Sequence, residues 1–99
     1  MARRKYLRVS EVVKVCRVDV RFVARLEREQ LIQPVLRRRR KVYPLEQVDR
    51  VRVAHILFHE MGVNLEGIEV ALHMREQMIA AQREFDRILR SLAIAIKRR

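Results

Sequence analysis

The sequence predicts a mainly α protein, a winged helix-turn-helix with a small β wing and a long C-terminal dimerisation helix. Three observations lead there. Gly and Pro number only two each in 99 residues while 49% of the chain is hydrophobic, which excludes both a disordered basic tail and a turn-rich β protein. Two short amphipathic segments follow one another within residues 10–30, the pattern of a helix-turn-helix. From Ala71 to Ala95 an apolar residue recurs at alternating spacings of three and four, the signature of a helix with one face turned to a partner.

Each element can be justified in turn. After a basic arm at residues 1–5, Ser10 is placed to cap a first short helix that turns Val12, Val13 and Val15 or Cys16 inward. Asp19 is the next capping residue and opens a second helix. Val20, Val23, Leu26 and Phe22 make its apolar stripe, with Arg21, Arg25 and Arg28 on the opposite side. Leu31-Ile32-Gln33-Pro34 ends that helix, and residues 35–43 read as a two-stranded wing. Its all-arginine middle offers no Gly or Asn for positive φ, which predicts a loose tip. Pro44 falls in the first turn of a third helix carrying Leu45, Val48, Val51 or Arg52, His55, Ile56 and His59, and Met61-Gly62 stops it.

Asn64 caps a fourth helix that no proline interrupts, with Gly67 in its first turn, where a glycine costs less than at mid-helix. Its stripe of Ala71, Met74, Met78, Ala81, Phe85, Ile88, Leu92 and Ala95 resembles a coiled-coil seam, widened by Leu89 and Ile96. So small a domain has no obvious helix of its own to cover that seam. A homodimer through Met74, Met78, Ala81, Phe85, Ile88 and Leu92 is therefore expected, and a helix folded back on its own domain is the alternative. The expected boundaries are an arm at 1–5, a winged helix-turn-helix at 6–62, and a dimerisation arm with a basic tail at 63–99.

Charge points to the partner. Lys and Arg total 23 against 12 Asp and Glu, a formal +11. Residues 1–50 hold 15 basic and 6 acidic residues, and residues 51–99 hold 8 and 6, so a polyanion-binding surface belongs to the first half. Arg17, Arg21, Arg25 and Arg28 are candidates for a DNA groove, where guanidinium groups bond phosphates or guanine O6 and N7. Arg37, Arg38, Arg39, Arg40 and Lys41, with Tyr43 beside them, suit the wing for phosphate contact, because crowded like charges are relieved by a polyanion. The plain alternative for the helix arginines is a solvated face with some partners among Glu27 and Glu29. Arg3, Arg4 and Lys5 at one end fit either tracking of a minor groove or phosphate backbone or a solubility role, and Lys97, Arg98 and Arg99 at the other fit the solubility role.

Other chemistry has little support. His55 and His59 have the i, i+4 spacing of two metal ligands, but with no intervening Glu at the zincin position and no cysteine cluster they are expected in a core or interface, as is His73. No metal or cofactor is expected. Cys16 reads as a small buried hydrophobe. There is no Gly-rich phosphate loop and no nucleophile motif, so an enzyme is not expected. The apolar stripe and arginine clusters lie on different segments, which argues against a membrane-surface helix. With no leader, no long apolar run and a single cysteine, the expected location is the cytoplasm.

Several stretches resemble the MerR superfamily over about residues 6–90. Leu31-Ile32-Gln33-Pro34 is similar to its Gly-Leu-hydrophobic-x-Pro entry to the wing, and Val42-Tyr43 to its Arg-x-Tyr exit. Met61-Gly62-Val63-Asn64-Leu65-Glu66-Gly67-Ile68 resembles its Gly-hydrophobic-x-Leu-x-x-Ile turn. Residues 21–34 and 62–72 look most like the short chaperone-modulator (CbpM-like) branch, with the heat-shock repressor branch close behind. The chain departs from the superfamily's Thr-x-Arg-x-Tyr recognition pattern, whose Arg and Tyr places fall on Ala24 and Leu26.

The two branches imply different partners. The repressor branch implies a homodimeric DNA-binding regulator, possible partner of the Hsp70 chaperone. The modulator branch implies an adaptor that binds the J-domain of an Hsp70 co-chaperone, for which Glu60, Glu66, Glu69 and Glu76 are the candidate contacts. A J-domain presents a basic helix, and the strongly basic first half of this chain favours DNA instead.

Overall fold

A computed structural model describes residues 5–98. A two-residue strand, β1 (Tyr6–Leu7), leads directly into α1 (Val9–Cys16). The N-cap is Arg8, not Ser10, which lies one position inside the first turn. The reason is positional. Pairing of β1 ends at Leu7, and Glu11 reaches back to accept the Arg8 backbone N–H at 2.9 Å, satisfying that helix end without a hydroxyl cap. Val12 is fully buried, and of the alternatives Val15 and Cys16 it is Cys16 that packs against the core while Val15 is exposed.

Arg17 closes α1 in the left-handed region at φ 56°, and the Val18 N–H bonds back to Val13 O at 3.2 Å, the long bond of a Schellman-type turn. Asp19 then caps α2 (Val20–Arg28), its Oδ1 accepting the Arg21 backbone N–H at 2.7 Å. Phe22, Val23 and Leu26 are buried as the pattern required. Val20 is not; it stands 52% exposed at the outer edge of the helix start.

Gln30, again left-handed at φ 60°, turns the chain so that Leu31 and Ile32 enter the core. The wing is β2 (Val35–Arg37) against β3 (Arg40–Pro44), and β3 also pairs with β1, giving an antiparallel sheet ordered β1-β3-β2. The register sets Arg37 opposite Arg40, so Arg38 and Arg39 form a two-residue tip. Both have positive φ, 53° and 65°, the geometry of a type I′ turn built without Asn or Gly.

Pro44 precedes the first turn of α3 (Leu45–His55) as its N-cap rather than lying within it. Val48, Val51 and Ala54 face the core, while Leu45 and Ile56 are exposed. The helix widens into a π-helical segment at Ile56–Glu60, and Gly62, at φ 66°, makes the reversal. Asn64 caps α4 (Leu65–Lys97) by accepting the Gly67 N–H at 2.8 Å. Gly67 suits this position, because a Cβ would lie 2.7 Å from Val63 Cγ1 and 3.2 Å from Asn64 Oδ1, so that a larger residue must displace one of them.

The 33 residues of α4 span about 50 Å at helical rise, in a molecule whose longest dimension is 58 Å. Only Ile68 and Leu72 of this helix are buried. Two ion pairs of opposite sense fasten it to α3, Arg75 to Asp49 at 2.7 Å and Arg50 to Glu76. No helix among the described residues is long and apolar enough to cross a membrane.

Candidate nucleic-acid interface

The core of α2 turns Phe22, Val23 and Leu26 inward, so helical geometry sends Arg21, Ala24 and Arg28 outward together with Val20. The three helix arginines end in different surroundings. Arg21 folds back on its own cap, donating from Nε to Asp19 Oδ1 at 3.2 Å and from Nη2 to Asp19 Oδ2 at 3.1 Å. Those bonds hold the Asp19 carboxyl below its ordinary range. Arg25 lies over the Phe58 ring at 5.5 Å, at the edge of an aromatic cluster that includes Phe22, His55 and His59. Arg28 has no ion pair among the described residues.

The wing is docked on α2 by Glu27, which the sequence marks only as a pairing partner for the helix arginines. Lys41 Nζ donates to Glu27 Oε2 at 2.5 Å, and the Tyr43 hydroxyl donates to Glu27 Oε1 at 2.7 Å. The Lys41 bond, then the Tyr43 bond, hold the Glu27 carboxyl below its ordinary range. Burial, then the bond to Glu27, push the Tyr43 phenol well above its own. A carboxylate on the flank of an otherwise basic helix was the available signal, but its partners lie 14 and 16 residues away and nothing local names them.

Tyr43 corrects the expectation of a surface contact. It is only 2% exposed, and its hydroxyl serves the α2–wing joint. Arg37 is also engaged, its guanidinium 4.5 Å from the centre of the Tyr6 ring and donating to the Tyr6 hydroxyl at 3.2 Å. Arg38, Arg39 and Arg40 are exposed at the tip with no ion pair among the described residues, and Arg17 is exposed in the α1–α2 turn. A shallow groove of about 240 Å³ joins helix to wing, lined by Val9, Val20, Ala24, Glu27, Arg28, Lys41 and Tyr43. Its lining combines the cations Arg28 and Lys41 with the apolar groups of Val9, Val20 and Ala24. Arg3, Arg4 and Arg99 lie outside the described residues.

The four glutamates proposed for protein contact do not form one strip. Glu66 and Glu69 line a cleft of about 310 Å³ with Arg25, Glu29, Phe58 and Leu65. Glu76 is instead bound to Arg50, and Glu60 is exposed at the end of the π-helical segment. His55 and His59 have ring centres 4.5 Å apart within the aromatic cluster, and no group of three or more metal-ligating side chains occurs among the described residues. Cys16 is half-buried, with burial the main cause that pushes its thiol up.

On α4, Met74, Met78, Phe85, Ile88 and Leu92 are all at least half exposed, and Ala81 lies among them exposed too. Helical geometry puts this stripe roughly 140° around the axis from Ile68 and Leu72, so it faces away from the chain's own core.

No curated protein and no solved structure matches the chain. A family model described as MerR HTH family regulatory protein matches residues 7–90. The helix-turn-helix, the three-stranded wing sheet and the long C-terminal helix agree with it, and the chain belongs to the MerR helix-turn-helix family of regulatory proteins, DNA-binding regulators of transcription that are typically not enzymes.

Proposed function

We propose that the protein acts in the cytoplasm as a homodimeric regulator of transcription, binding duplex DNA through the outer face of α2 and the tip of the wing. The observation that carries this reading is the set of arginines with no ion pair among the described residues, Arg28 in the groove between α2 and the wing and Arg38, Arg39 and Arg40 exposed at the wing tip. Held apart from internal carboxylates, these cations are available to phosphates. Lys41 and Arg37 support the wing from within, and Arg17 extends the basic surface at the turn. Residues 6–62 are the proposed binding domain and residues 63–99 the proposed dimerisation arm, joined across the seam of Met74, Met78, Ala81, Phe85, Ile88 and Leu92. Resemblance to the modulator and heat-shock repressor branches supports chaperone genes as targets.

The test is fluorescence anisotropy of a random 30-base-pair duplex, about that length being enough for two half-sites one helical turn apart. Salt-sensitive binding that is lost when residues 37–40 are all alanine is the expected result. Binding that stays flat between low and high salt refutes the reading.

A second reading has one specific observation behind it. The cleft bearing Glu29, Glu66 and Glu69 beside Leu31, Phe58 and Leu65 is acidic and partly apolar, which suits the basic helix of a J-domain co-chaperone. Capture of a J-domain that Glu66→Lys with Glu69→Lys abolishes supports the adaptor, and capture unchanged by that pair removes the cleft as its site.

A further inference from the structure

The outer face of α2 is short of the usual base-reading groups. Its exposed residues are Val20, Arg21, Ala24, Arg25 and Arg28, followed by the cap Glu29. None is an amide or hydroxyl, so the paired contacts by which Asn or Gln reads adenine are absent from the helix. Cytosine is read by a carboxylate that accepts its amino group, yet both oxygens of Glu27 are already bonded, to Lys41 and Tyr43, and both oxygens of Asp19 to Arg21. Arg25 is turned to Phe58. Glu29 lies with Arg25 in the separate cleft beside Phe58, so what the groove keeps is Arg28, with no ion pair among the described residues, and two apolar side chains, Val20 and Ala24.

Val20 is the informative one. It is the first residue of the helix, where a recognition helix meets base edges, and it is 52% exposed among arginines. An apolar side chain there has one complementary group in the major groove, the thymine C5-methyl. Arginine has the O6 and N7 of guanine. The surrounding cations supply the attraction that brings these apolar side chains against a polyanion.

Resting on the proposed DNA-binding function, we propose that α2 selects sites containing thymine and guanine, with Val20 and Ala24 reading thymine methyl groups and Arg28 reading guanine. Ala24 and Arg28 are one helical turn, about 6 Å, apart. That is roughly two base-pair steps at 3.4 Å each, which sets the spacing of the two contacts.

The experiment selects duplexes from a pool with a randomised core using the full chain, then remakes the selected duplex with deoxyuridine in place of thymine, one position at a time. Deoxyuridine pairs as thymine does and lacks only the methyl. The selected core is expected to hold thymine and guanine about two steps apart, and loss of a contacted methyl should weaken binding about fourfold. Val20→Ser, with helicity checked by circular dichroism, brings the thymine to deoxyuridine ratio to one at the position Val20 contacts and leaves it unchanged at the one Ala24 contacts. Selected cores without thymine, or equal wild-type affinity for both duplexes, overturn the inference. If the unselected pool still binds in a salt-sensitive manner in that case, the proposed function stands without it. A wild type that binds no duplex at low salt overturns both.

Discussion

The tip of the wing is a place where stability and charge are opposed, and replacing Arg38 and Arg39 with Asn and Gly measures the opposition. Both arginines are left-handed, at φ 53° and 65°, a conformation that brings Cβ against the following carbonyl and costs roughly 1 kcal/mol per residue. Asn tolerates this region and Gly enters it freely, so relief is worth about 2 kcal/mol. Glycine returns roughly 0.5–1 kcal/mol of that through its larger unfolded-state entropy. The net expectation is a gain of about 1 kcal/mol, or roughly 4–8 °C in melting temperature for a domain of this size. The gain should register globally because β3 is tied to β1 by pairing and to α2 through Tyr43 and Glu27.

The assay is thermal unfolding at fixed protein concentration, beside Arg38→Ala with Arg39→Ala. The alanine pair removes the same two charges and keeps the left-handed strain. If it stabilises as much as the Asn-Gly pair, charge repulsion and not backbone strain is the cause, and the reasoning fails. Under the proposed function, both variants should also flatten the dependence of log affinity on log salt by about 1.8, the share of two phosphate contacts.

Three further outcomes are expected. Glu27→Ala leaves the buried Tyr43 hydroxyl without its acceptor and should cost about 2 kcal/mol in chemical denaturation. Because the folded Glu27 carboxyl is held below its unfolded value, its contribution is present above the unfolded pKa and is lost as pH falls through the lower folded one. A Glu27→Ala penalty that does not shrink under acid would contradict that sign. Gly67→Ala should destabilise by about 1 kcal/mol despite the better helix propensity of alanine, since the new Cβ presses on Val63 and on the Asn64 cap. A higher melting temperature for this variant would mean that Val63 gives way. Phe85→Asp with Ile88→Asp should convert the proposed dimer to monomer in sedimentation analysis, because desolvating two carboxylates in an apolar seam is prohibitive; an unchanged mass would place the interface elsewhere.

What the sequence by itself determined was whatever depends on neighbours along the chain. Asp19 and Asn64 were legible as caps because a cap bonds an N–H two or three residues ahead. Phe22, Val23 and Leu26, like the long stripe of α4, follow from helical periodicity, and the wing followed from the break between two helices. The tertiary structure decided everything that depends on residues distant in sequence. It paired β1 with β3, drew Lys41 and Tyr43 onto Glu27, and turned Arg25 to Phe58, leaving Arg28 without an ion-pair partner among the described residues. It also forced Arg17, Gln30, Arg38 and Arg39 into left-handed turns that no local preference of those residues announces. The physical reason is common to all of these. A residue's backbone preference and its nearest partners are encoded within a few positions. The choice among several possible partners for a charge, or the tolerance of a strained turn, is settled only by the free energy of packing the whole domain.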